Sequence, residues 1–211
     1  MQETIQARFA RKQSLDIGIL VFPEVEVLDF AGPFEVFSVA SRIAEKAIGV
    51  RAPFRVALAG ASGAPVMARH RVGVCPHVGF DTAPAFDLLV VPGGVVDQPL
   101  ADPATLAWIV RQDAGAALTA SVCTGAFILA RAGLLEGLAV TTHWEDIPDL
   151  RAAFPALDVR EGTPWVDQGR IVTSAGISAG IGMSLHLVGR ILGEDMARAT
   201  ARQMEFDWAP L

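Results

Sequence analysis

The chain has 211 residues, of which 52% are hydrophobic, and a formal net charge of -6. That length and apolar content suffice for a single globular domain with a sizeable core, and the acidic balance leaves no basic surface to neutralise phosphates, so no nucleic-acid partner is expected. Two cysteines, Cys75 and Cys123, exclude a disulfide framework; there is no CxxC or HExxH metal spacing, and no apolar stretch long enough to span a membrane. A reducing, cytoplasmic setting is expected, with no metal, no cofactor and no membrane partner.

Residues 1–14, MQETIQARFARKQS, are polar with scattered basic residues and lack the apolar segment of a signal peptide; they read as an N-terminal extension ahead of a domain over 15–211. The run LDIGILVF at 15–22 has strand length. FPEVEVLDFAGP follows and reads as a loop carrying Asp29, with Pro33 at the first position of a helix. FRVALA at 54–59 is a second strand. VMARHRVGVCPHVGF reads as a hairpin or irregular crossover; it holds His70, for which no role is assigned, and Cys75 and His77, whose Cys-x-His spacing lacks the second pair a metal site needs.

FDLLVVPGG at 86–94 is an almost wholly apolar strand that runs into Pro92-Gly93-Gly94, as a buried parallel strand does. Asp102 and Pro103 open an amphipathic helix that closes at Gly115. The next strand ends on Val122, and a helical pattern over 124–133 begins immediately after Cys123. LAVTTH reads as a strand ending at His143, and a helix follows it. A short strand, RIVTSAG, a helix rich in small residues and a last helix complete the chain. Strands that alternate with helices and are apolar throughout imply an α/β fold, a flavodoxin-like three-layer sandwich with a mostly parallel sheet. Right-handed crossovers then bring Asp29, Gly93-Gly94, Cys123 and His143 to one crevice at the carboxyl edge of the sheet.

A cysteine at a strand-to-helix corner forms a nucleophile elbow: the next N–H groups lack intrahelical partners, and the helix dipole favours thiolate over thiol. Asp29, desolvated beside a thiolate, is expected to have a raised pKa and so to donate a proton near neutrality; the alternative is a turn or capping residue. The Gly94 and Thr124 N–H groups are candidates for an anion-binding pair, against a plain tight turn at the glycines. His143 either orients or deprotonates Cys123 or caps a strand end. His186 reads as packing, and Trp144 and Trp165 as core or pocket lining.

Pro92-Gly93-Gly94, Ser121-Val122-Cys123-Thr124-Gly125, Thr141-Thr142-His143-Trp144 and Thr173-Ser174-Ala175-Gly176, in that order, resemble the ThiJ/PfpI superfamily, relatives of class I glutamine amidotransferases. The stretches 28–33 and 203–207 look most like its isonitrile hydratase subgroup. The resemblance implies a nucleophile at Cys123, an acid at Asp29, Thr124 beside the nucleophile, a small-molecule substrate and a homodimer. Protease-like members carry histidine directly after the cysteine; Thr124 stands there instead, which argues against a peptidase. A similar domain forms half of AraC-type regulators, whose other half is a helix-turn-helix pair not expected here. Isonitrile hydration is therefore the expected activity, with a cofactor-independent glyoxalase or deglycase and a non-catalytic thiol sensor as the alternatives.

Overall fold

The computed structural model of the chain describes residues 3–210. In chain order its elements are α1 (Ile5–Lys12), β1 (Leu15–Leu20), α2 (Val27–Ile48), β2 (Phe54–Gly60), β3 (Val66–Met67), β4 (Gly73–Val74), β5 (Val78–Gly79), β6 (Leu88–Val91), α3 (Asp97–Ala101), α4 (Pro103–Gly115), β7 (Leu118–Val122), α5 (Gly125–Arg131), β8 (Ala139–Val140), α6 (Ile147–Ala153), β9 (Asp158–Val159), β10 (Trp165–Asp167), β11 (Ile171–Ser174), α7 (Ala179–Leu192) and α8 (Glu194–Gln203). One sheet runs β10-β11-β7-β6-β1-β2-β5. Its pairings are parallel except β10 with β11. Every residue of β6 and β7 is buried, as expected of strands covered on both faces. Helices α1, α2, α7 and α8 pack together as one layer, and α3, α4 and α5 as another. The mostly parallel α/β architecture read from the apolar runs is the one observed. Among the described residues no helix is long and apolar enough to cross a membrane.

Three local readings change. The segment ahead of Leu15 carries an eight-residue helix, capped by Thr4 and burying Ile5. It is tied down by Lys12 Nζ, 2.6 Å from Asp87 Oδ2, and by Arg8. Helix α2 starts at Val27 rather than at Pro33, which lies inside it and leaves the Asp29 carbonyl without an i+4 donor. The start is set by tertiary bonds: Glu26 N–H donates to Gly93 O at 2.9 Å, and Val25 bridges to Gly94. Asp29 is thus a helical residue, not a loop residue. LAVTTH forms ladder only at Ala139–Val140, which pair with β9 outside the main sheet. Beyond it, Thr141 N–H donates to Thr173 Oγ1 at 2.8 Å and Thr142 Oγ1 to the Cys123 carbonyl at 2.8 Å, so side chains rather than a ladder carry the chain to His143.

At the centre of the sheet, Gly18 of β1 lies under the Phe86 ring, and a Cβ there would come within 2.6 Å of Phe86 Cγ. Phe86 is packed edge-on against fully buried Trp108 and has no room to withdraw. Gly18→Ala should therefore lower unfolding free energy by about 1–3 kcal/mol in urea titrations with an unchanged slope. A neutral substitution would show that the ring yields.

Candidate active site

Cys123 follows the last residue of β7 and precedes α5. Its N–H faces the Ser174 and Ala175 carbonyls at 3.2 and 3.3 Å, and its φ is +55. A left-handed conformation at a non-glycine residue costs on the order of 1–3 kcal/mol and is the geometry of a nucleophile elbow. The elbow packs directly on the Pro92-Gly93-Gly94 loop: a Cβ at Gly93 would stand 2.5 Å from the Thr124 nitrogen, so only glycine lets the two backbones approach. Thr124 fastens the contact from its side, since its Oγ1 accepts from Gly94 N–H at 2.9 Å and donates to Gly94 O at 3.0 Å.

Asp29 enters from the first turn of α2 with its side chain fully buried. Its Oδ2 accepts the Gly93 N–H at 3.0 Å, whereas Oδ1 is buried without a hydrogen-bond partner. Burial pushes the carboxyl up to about 7; the Glu26 charge adds to the rise, and the Gly93 N–H, the Cys123 thiol and the Ile177 N–H oppose it. The direction of the shift is the one expected of a desolvated carboxyl at this position.

The thiol departs from expectation. Burial first, then the Asp29 charge, push Cys123 up to about 12, and the Thr124 and Ile177 N–H groups recover only part of the rise. The α5 dipole does not win, because α5 has seven residues and its effect is confined to one turn, while desolvation and a carboxylate act on the sulfur together. Moving the thiol proton to an ionised Asp29 leaves the pair with the same single negative charge, so the two groups titrate as a unit. The amide donors at the sulfur are those of Thr124 and Ile177; the Gly94 N–H is committed to the threonine hydroxyl. Ile177 was not picked out from sequence: a β-branched residue gives no warning of a φ of +54.

His143 shares with Cys123 a cavity of about 320 Å³, whose walls include Thr124, Gly94 and Ile177. The Cδ2–Nε2 edge of the ring lies against Gly176, and Nδ1 faces Asp146 Oδ2 at 3.3 Å. Glu26, Arg69, Glu145 and Asp146 complete the lining and were not foreseen, since they come from the α2 cap and two short helical turns that carry no motif. Gly94, Cys123, Thr124 and His143 line one crevice, and Asp29 is fully buried beside Gly93 rather than in its wall. His186 is elsewhere, paired with Asp167 at 2.6 Å and tilted against Trp165. Cys75 is exposed, and among the described residues no group of three or more His, Cys, Asp or Glu is placed to hold a metal ion.

An α/β sheet with a buried cysteine elbow and a carboxyl from the first crossover helix defines a class, and the sequence matches it. Residues 16–190 match the DJ-1/PfpI family, to which the chain belongs. Isonitrile hydratase of Pseudomonas putida is 35% identical over 198 residues, covering 93% of this chain and 81% of that protein. The HTH-type transcriptional regulator GbdR of Pseudomonas aeruginosa is 29% identical over 191 residues, 90% of this chain, which spans only 50% of the regulator. Among solved structures, a ThiJ/PfpI family protein from Pseudomonas syringae superposes with a TM-score of 0.79 at 29% identity, covering 93% of this chain and 77% of that one.

The raised Asp29 pKa has a thermodynamic consequence. A carboxyl whose folded pKa of about 7 lies above its value of 3.8 in water contributes stability that is complete below about pH 4 and is lost as the pH rises through 7. Asp29→Asn keeps the shape and does not titrate. Its unfolding free energy relative to the parent should increase by on the order of 4 kcal/mol between about pH 4 and about pH 8, measured by urea titration at each pH. A difference independent of pH would mean that Asp29 titrates as it does in water.

Proposed function

We propose that this chain hydrates isonitriles to N-substituted formamides. The observation that carries the reading is Asp29: an entirely buried carboxyl with one unpartnered oxygen, raised to about 7, bearing on the thiol of a strained elbow. An isonitrile, R–N≡C, presents a terminal carbon that must gain both a nucleophile and a proton. The Cys123 thiol proton passes to Asp29, the sulfur forms a bond to the terminal carbon, and Asp29 delivers the proton to that carbon, giving the thioimidate R–N=CH–S–Cys. Water adds across the C=N bond, and the tetrahedral species R–NH–CH(OH)–S–Cys expels the thiolate, which takes the hydroxyl proton through Asp29. R–NH–CHO leaves, and thiol and carboxyl are restored. The Thr124 and Ile177 N–H groups steady the sulfur's negative charge in both steps. The identity of 35% with the Pseudomonas putida enzyme supports the same assignment.

A second reading, a ligand-binding module like half of the GbdR regulator, draws support from the burial that pushes the thiol up to about 12, since the thiolate is the nucleophilic form.

Turnover separates the two. With alkyl and aryl isonitriles, the parent should release formamide, Cys123→Ala should release none, and Asp29→Asn should lose about 10²- to 10⁴-fold in kcat while still unfolding in one cooperative transition. Intact-mass spectrometry should detect the substrate mass added at Cys123. Absence of formamide across the panel from a folded sample would leave the ligand-binding reading.

A further inference from the structure

The cavity over Cys123 is unevenly charged. Three of its lining side chains are carboxylates, Glu26, Glu145 and Asp146, against the single arginine Arg69. Arg69 lies 3.7 Å from Glu26. Glu145 and Asp146 are left with the Nδ1 of one histidine, His143, at 3.8 and 3.3 Å. The Asp146 pKa is raised, by burial first; His143 opposes the rise, and the charges of Asp149 and Glu145 add to it. The Asp146 charge also reaches the sulfur and helps to push its pKa up.

Beside these acids stands Trp144, 72% exposed, the most exposed large hydrophobic side chain among the described residues, with its ring 5.7 Å from that of His143. An indole left in water forfeits the burial that usually holds tryptophan in a core, and its face attracts cations. The floor of the same cavity is the thiol, with the fully buried Asp29 carboxyl behind it. The two ends ask for different chemistry. The floor suits a neutral group that accepts a proton at carbon, whereas the acids above it form a cleft of one sign, where field lines concentrate on a positive charge.

We infer that the substrate carries a positively charged substituent, an ammonium group held by Glu145 and Asp146 beside the Trp144 indole while the reactive carbon lies on Cys123. This rests on the reading of Cys123 as the nucleophile toward an isonitrile. A cation bound there also offsets the Asp146 charge that disfavours the thiolate, so the correct substrate eases ionisation of the sulfur it meets. Anionic substrates are repelled, because the one arginine at the opening is already paired.

Three probes of equal chain length test the assignment: an alkyl isonitrile ending in trimethylammonium, its uncharged tert-butyl isostere, and one ending in carboxylate. Calorimetry with Cys123→Ala at low ionic strength should give about tenfold tighter binding for the ammonium than for the isostere, with the carboxylate weakest. The gap should narrow with added salt and fall below about threefold in Cys123→Ala carrying Glu145→Gln and Asp146→Asn, and Trp144→Ala should narrow it at any salt. Equal affinities, or tightest binding of the carboxylate, would overturn the inference. Because binding is read on an inert variant, the two readings fail separately. Ammonium preference with no turnover of any probe by the parent sinks hydration and leaves the cation site standing; turnover of all three with equal kcat/KM sinks the cation site and leaves hydration.

Discussion

The bond from the Gly93 N–H to Asp29 Oδ2 at 3.0 Å joins the two halves of the site. It ties the start of α2, the first crossover, to the loop after β6, which in turn lies in backbone contact with the elbow after β7. Around it the neighbouring groups bond the same segments in both directions: Glu26 N–H to Gly93 O, Val95 N–H to Glu24 O, and Thr124 Oγ1 with both polar atoms of Gly94. A carboxyl buried this completely has only two inexpensive states, protonated or fully hydrogen-bonded. Oδ2 accepts the Gly93 N–H, and the Cys123 thiol and the Ile177 N–H also act on the carboxyl, yet burial outweighs them and holds it up to about 7.

The features legible from sequence are those governed by local pattern or by the handedness of crossovers. Apolar runs located β1, β6 and β7, and the abrupt change of period at Cys123 located the elbow. Right-handed crossovers brought Asp29 and His143 toward it, although neither residue sits on the element assigned to it. What failed depended on tertiary bonds. Pro33 is a sound marker of a helix start when only propensity acts, yet bonds from residues 24–26 to the Gly93-Gly94 loop begin α2 six residues earlier. The Gly94 amide resembles a free donor until the Thr124 hydroxyl is seen to engage it. The direction of the Cys123 shift was misjudged because a helix start is visible in a sequence and desolvation is not.

Thr124 illustrates how one residue sets the chemistry around it. A histidine after the nucleophile would offer a base beside the sulfur. The threonine instead spends its hydroxyl on Gly94, and the proton-accepting group nearest the sulfur becomes a carboxyl. His143 does not restore the missing base in the same role, since its Nδ1 turns to Asp146 and its other edge rests on Gly176. What stands at the sulfur is a carboxyl raised to about 7 and a thiol raised by burial.

That pairing bears on which electrophiles suit the site. A carbonyl carbon needs its oxygen stabilised as negative charge builds there, which calls for converging amide donors, and here one of the two glycine amides is held by Asp29 and the other by Thr124. The Thr124 and Ile177 amides act on the sulfur, and the Ile177 amide acts on Asp29 as well. A terminal isonitrile carbon makes a different demand: it takes sulfur and proton at the same atom, so the acid must lie against the nucleophile and not across the substrate from it. Asp29 bears on the thiol directly, buried with it and coupled to it. In the proposed hydration Asp29 is the acid that addition at a single carbon requires, whereas both glycine amides are already bonded and would not serve acyl chemistry.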